Sequence, residues 1–263
     1  FVYYVYDTTD INIYKNNLLS DKLIYLVALI DHNNDPEKEL NKIEKFILNN
    51  NINLDKILIC PKIYLGSFQP SGNWPKVPKL SKYYNLARKK FPNSEIISGM
   101  VTNFTELNRK RPDDYFDAVN FSFTPIVHDA SDFGVLDTME TIPHILKSIN
   151  EISKNKPIHV GPITLAMHYN PYGENLVNNQ KNKILEMSDR DPRHDSLFGL
   201  NWTTGIFIKL IDSSTKYLTF NNLFGFNGII SDNKQNKRPL FPLNELLIHF
   251  KNFKIKKIKY IKE

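Results

Sequence analysis

The 263-residue sequence contains one cysteine, Cys60. A single thiol excludes a disulfide framework and any multi-thiolate zinc or iron–sulfur centre, since each needs paired or clustered sulfurs. The chain has no apolar run near the roughly 18 to 20 residues that cross a bilayer, and no charged, apolar, small-residue leader opens it. A reducing, cytoplasmic setting without a membrane partner is the default expectation. No glycine-rich phosphate loop follows the first apolar run, which argues against a dinucleotide-binding sheet. The spacings His128 to Asp132 and His159 to His168 match no metal-ligand pattern, and no metal is expected.

Charge is present in excess of one sign, with a formal net of +6. Its distribution decides what it means. Lys is scattered among many Asn, and the one dense cluster is the tail Lys251, Lys254, Lys256, Lys257 and Lys259. No recognition motif accompanies it, so a solvated surface explains the excess and a nucleic-acid partner is not expected.

Short β-branched and aromatic runs alternate with helical periodicity along the chain, which is the α/β pattern. The strand candidates are FVYYVYD at 1–7, LIYLVALI at 23–30, KILIC at 56–60, EIISGMV at 95–101, AVNFSF at 118–123, IHVGPIT at 158–164 and KYLTF at 216–220. Between them PEKELNKIEKFILNN places Leu40, Ile43, Ile47 and Leu48 on one helical face, and SLFGLNWTTGIFIKLI and PLNELLIHFKNF are further helices. Several strands are almost continuously apolar, as parallel strands covered on both faces are. A (β/α)8 TIM barrel, with or without its first strand, is the expected fold over residues 1–250. Phe1 already lies in a strand-like run, and FKIKKIKYIKE reads as an exit segment (251–263) toward a following β domain, so a longer parent protein is expected.

In such a barrel the loops after the strands converge on one mouth. They carry Thr102, Asn103 and Glu106; His128, Asp129 and Asp132; Thr164, His168 and Asn170; the DRDPRHD loop with Arg193 and His194; and NNLFGFNG with Asn222. Each has a plainer reading. Glu106 suits the first turn of a helix, where the dipole favours a carboxylate. His128 at a strand end is a hydrogen-bonding residue or a base, its ordinary pKa being well placed for the latter. His168 packs or touches substrate. Asp191 and Arg193 read as a loop-closing ion pair around Pro192, with Ser196 capping the next helix. His159, opposite Val160 and Pro162 in alternation, is expected to be buried against helices. The GSFQPSGNWPKVPK loop with Trp74 is a sugar-facing lid or a long crossing.

The segments FTELNRKRP (104–112), NFSFTPIVHD (120–129), HVGPITL with YNP (159–171), DPRHDSLFGLNWTTG (191–205) and YLTFNNLFGFNG, followed by FPLNELL, occur in the order found in the TIM-barrel domain of the D-apionate lactonase family, which this chain resembles over residues 95–250. The resemblance implies a carbohydrate-metabolism hydrolase that opens a sugar-acid lactone, a carboxylic ester, without an obligatory cofactor and with flanking β domains outside this chain. It places Glu106 and His128 as proton-transfer residues. Asn103, Asp129, Thr164, His168, Asn170, Arg193 and Asn222 are the positions implied to bind the sugar lactone or sugar acid.

The sequence departs from the family at the mouth. Asn222 stands where the family has a Glu after the last strand, and Ala166 and His168 stand where it has two Arg. An Asn cannot take a proton, and loss of a guanidinium removes a bidentate carboxylate clamp. Two other readings therefore stand beside the lactonase: a glycoside hydrolase pairing Glu106 with Asp129 or Asp137 across a cleft, and a sugar-binding barrel without catalysis.

Overall fold

The computed structural model describes residues 2–5, 24–68, 72–173, 175–211, 214–222 and 227–228. The apolar runs form seven strands: β1 (Val2–Val5), β2 (Ile24–Ile30), β3 (Leu54–Pro61), β4 (Glu95–Asn103), β5 (Ala118–Phe123), β6 (Ile158–Ile163) and β7 (Thr215–Phe220). Each pairs in parallel with the next in chain order. The candidate helix at 242–253 and the exit segment 251–263 lie outside the described residues.

The sheet curls into a barrel. Tyr25 of β2 meets His159 of β6 with ring centroids 5.7 Å apart, and Lys56 of β3 sits 4.4 Å from the ring centroid of Tyr217 of β7. In a flat sheet strands four places apart would stand about 19 Å from one another, so these contacts require the inner face to wrap on itself.

Both faces are buried, which is why β2 is apolar at every position. Leu26, Ala28 and Ile30 point outward with Ile57 and Ile59, meeting Leu40, Ile43, Phe46 and Ile47 of α1 (Pro36–Asn49) and Tyr83, Tyr84 and Ala87 of α2 (Leu80–Lys90). Tyr25, Val27 and Leu29 point inward with Leu58, Cys60, Tyr64 and Ile97. Burial on this inner face pushes the Cys60 thiol up to about 12, so it is a packing residue and not a nucleophile. α1 starts where Asp35 accepts from the N–H groups of Glu37 and Lys38, with Pro36 in the first turn. Leu48, expected on its buried stripe, is 68% exposed, because the stripe closes with Phe46 and Ile47.

His159 also corrects an expectation. It is buried, but on the inner face with Tyr25 and Tyr217, not against helices. Val160 is the residue that faces the helices, paired beside Phe121. A register shift between Val160 and Ile163 then returns Pro162 and Thr164 to the interior. Among the described residues no helix is long and apolar enough to cross a membrane.

β4 carries its own irregularity. Gly99 has φ +100°, and a Cβ there would lie 2.1 Å from the carbonyl oxygen of Asn120 on β5. Gly99→Ala is therefore expected to cost about 3 kcal/mol or more, through both the left-handed backbone and the clash. Urea unfolding at pH 7 measures it, and a loss under about 1 kcal/mol would show that the β4–β5 register is not held at this point.

Candidate active site

Parallel strands bring all their C-terminal ends to one rim. β4 runs directly into α3 (Phe104–Arg109), β5 into the loop before α4 (Asp132–Asp137), and β6 into a long loop ending in a 3-10 turn at Pro192–Asp195. Glu106 and His128 both lie at this rim.

A cleft of about 470 Å³ opens over β4 and β5. Its polar wall holds Asn103, Thr105, Arg109, Ser122, Thr124, His128 and Asp129, while Phe104, Phe123, Val127, Ile145 and Tyr172 supply apolar surface. His128 is exposed, with Tyr172 beside it at a centroid distance of 6.0 Å. Asp129 is exposed too, and accepts from the Ser131 N–H at 2.8 Å; that hydrogen bonding holds its carboxyl below the usual range. It is the one carboxylate among the described lining residues.

Glu106 does not line this cleft. It is fully buried beneath it, and desolvation raises its pKa. Its Oε2 accepts from Thr105 Oγ1 at 3.2 Å and its Oε1 lies 3.5 Å from Arg109 Nη1. The same Nη1 donates to Ser67 Oγ at 2.9 Å, and the Ser67 N–H donates to the Pro171 carbonyl, so α3 is tied to the loops after β3 and β6. Asp137 is exposed at the end of α4 and also lies off the cleft. The paired-carboxylate geometry of the glycosidase alternative is not assembled by these residues.

Inward of the cleft, sharing Asn103, Ser122 and Thr124 with it, is a chamber of about 10 Å³ bounded by Thr102, Pro162, Thr164, His168 and Tyr169. That is room for one water. Thr164 donates to the Ala166 carbonyl, and its N–H to that of Phe123. His168 Nε2 is enclosed with no protein partner, and burial pushes its pKa down to about 4, so the ring is neutral.

Other expected ligands of substrate are committed elsewhere. Arg193 grips Asp191 through Nε at 2.9 Å and Nη2 at 2.7 Å, and Asp132 through Nη1 at 2.7 Å. The pair closes its loop as expected: three short charge-assisted bonds hold the guanidinium, which lines neither of these cavities. Ser196 caps α6 (Leu197–Ile211) through the Gly199 N–H. Asn170 shapes its own loop, accepting from the Tyr172 N–H at 2.9 Å and donating to the Asn175 carbonyl at 2.7 Å. Asn222, half-buried, bonds through its backbone N–H to Asn227 and lines neither cavity. Arg109 was not singled out by its sequence; its position three residues after Glu106 on one helix was the available signal.

Residues 17–253 match the family model described as D-apionate lactonase, TIM barrel domain, so the likeness reaches well before residue 95. The D-apionate lactonase of Brucella anthropi is 36% identical over 195 residues, 72% of this chain and 32% of that protein; the chain thus spans about a third of the relative's length. Among solved structures, a β-D-glucuronidase from Dictyoglomus thermophilum superposes with a TM-score of 0.53 at 12% identity, covering 88% of this chain and 41% of that one. An α-L-arabinofuranosidase from Thermotoga petrophila gives 0.51 at 11% identity, covering 81% and 46%. At such identities the likeness is one of fold.

Two outcomes test this geometry. Asp191→Asn should cost about 3 kcal/mol or more in thermal or urea unfolding, since it leaves a buried guanidinium short of its counter-charge. His168 binds its proton near pH 4 in the native state against an ordinary 6.5 in the unfolded chain. Its contribution is therefore complete above about pH 6.5 and lost as pH falls toward 4. Urea midpoints of His168→Gln should decline less steeply over that window, and a profile parallel to the wild type would refute the buried, neutral imidazole.

Proposed function

The chain belongs to the D-apionate lactonase family, as its TIM-barrel domain, and we propose that it is the barrel of a hydrolase that opens a sugar-acid lactone at the cleft over β4 and β5. The observation that carries this reading is the gathering of an exposed imidazole, a partly exposed guanidinium and a row of hydroxyl and amide groups in one cavity of small-molecule size.

Lactone hydrolysis forms a bond from water oxygen to the carbonyl carbon and breaks the bond from that carbon to the ring oxygen. His128 accepts the proton from the attacking water as the tetrahedral oxyanion forms, then returns it to the departing ring oxygen. Arg109 supplies the positive charge where the carbonyl oxygen gains negative charge. Glu106, buried behind Arg109, acts through that guanidinium as a positioning residue instead of exchanging protons with substrate. Asn103, Ser122 and Thr124 orient hydroxyls from the floor. The polar inner chamber with His168 offers a seat for the water.

The full-length protein should release acid from at least one member of an aldonolactone panel that includes apionolactone, followed in a pH-stat. His128→Ala should lower kcat/KM by about 100-fold or more, and Arg109→Ala should raise KM as well as lower kcat. No acid release from any lactone, or equal rates for wild type and His128→Ala, would discard the proposal. Tight sugar-acid binding in calorimetry without turnover would support the non-catalytic barrel.

A further inference from the structure

A second cleft, of about 530 Å³, lies beside the first, between the loop after β3 and the end of α3. The Trp74 loop, which does not line the hydrolytic cleft, forms its wall. The end of α3 divides the two: Arg109 lines the first cleft, and Lys110 and Arg111 line the second. Lys76 and Lys79 face it from the Trp74 loop, so four cations meet a single acid, Asp113. That acid is engaged in capping α2, its Oδ2 accepting from the Ser81 N–H at 3.2 Å.

Two of the cations and the rings have fixed neighbours before any ligand arrives, while Lys76 and Lys79 are exposed. Arg111 is fixed to Asn108 Oδ1 through Nη2 at 2.7 Å and Nε at 3.2 Å, and Lys110 sits 5.3 Å from the Tyr64 ring centroid. Trp74 is half-buried, braced edge-on by Tyr64 at 5.4 Å and tilted against Phe68 at 5.2 Å, with Pro75 and Pro78 stiffening the backbone beyond it.

We propose that this second cleft binds an acidic sugar, its carboxylate among Lys110, Arg111 and the two loop lysines and its C–H face against the half-buried Trp74 ring, which the buried Tyr64 braces from behind. A neutral sugar would leave four cations unanswered. A simple inorganic anion would leave the aromatic wall unused, and the volume is that of a small-molecule pocket instead of a groove that tracks a polymer. The anchored Arg111 guanidinium and the braced Trp74 ring lower the ordering cost of such a ligand. The site is separate from the hydrolytic cleft, and its binding does not depend on turnover there.

Isothermal calorimetry on the full-length protein with sodium D-glucuronate and with a digalacturonate tests it, D-glucose, inorganic phosphate and AMP being run in parallel. The uronates should bind, weakening at high salt without vanishing, and glucose should not. Lys110→Ala with Arg111→Ala should weaken uronate binding at least 10-fold. Lys76→Glu with Lys79→Glu should do the same without disturbing any core contact, which guards against a folding defect. His128→Ala should leave this binding unchanged, since a ligand seated in the hydrolytic cleft would respond to it. Absence of uronate binding, binding indifferent to both charge variants, or phosphate or AMP binding as tightly as the uronates would overturn the proposal. The loss of lactone turnover alone would leave every one of these outcomes readable.

Discussion

The rim of this barrel rests on one amide. Asn120 Nδ2 donates to the Met100 carbonyl on β4 at 2.8 Å and to the Gly161 carbonyl on β6 at 2.9 Å, so a single side chain on β5 ties both neighbouring strands from inside. The arrangement is open to it because Gly99 has no Cβ to meet the Asn120 backbone. Beyond this point the β4–β5 register slips, and Asn103 comes to lie beside Ser122. The β5–β6 register slips just after it. The polar residues shared by the cleft and the chamber owe their places to these irregularities and not to regular alternation.

That explains which parts of the molecule were legible in its sequence. The strands were, because continuous β-branched runs such as IYLVALI are the mark of a strand buried on both faces, and each observed strand begins and ends within two residues of its run. The gathering of post-strand loops at one rim followed from parallel order alone. What could not be read was which face is which. In a closed barrel both faces are apolar, so alternation separates His159 from Val160 without saying which of them looks inward. Burial of Glu106 was equally hidden, since a first-turn carboxylate and a cleft carboxylate share one sequence signature. Lys251 to Lys259 and the helix expected near Leu243 fall outside the described residues.

The two arginines at the rim show how partners decide role. Arg193 has its Nε and both terminal nitrogens engaged at 2.7 to 2.9 Å with Asp191 and Asp132, and it serves the fold. Arg109 spends one nitrogen on Ser67 at 2.9 Å and holds Glu106 at a looser 3.5 Å, which leaves donors of its guanidinium for something that enters the cleft. Both are named in sequence segments that mark the family, yet only the geometry separates a brace from a binding group.

At the far end of the barrel, Lys56 bonds Asp55 at 2.6 Å and Glu95 at 3.1 Å, while the rings of Tyr25, His159 and Tyr217 meet edge-on in the same space. Among the described residues this plug fills the inner face at that end, while the chamber borders the cleft at the other through Asn103, Ser122 and Thr124.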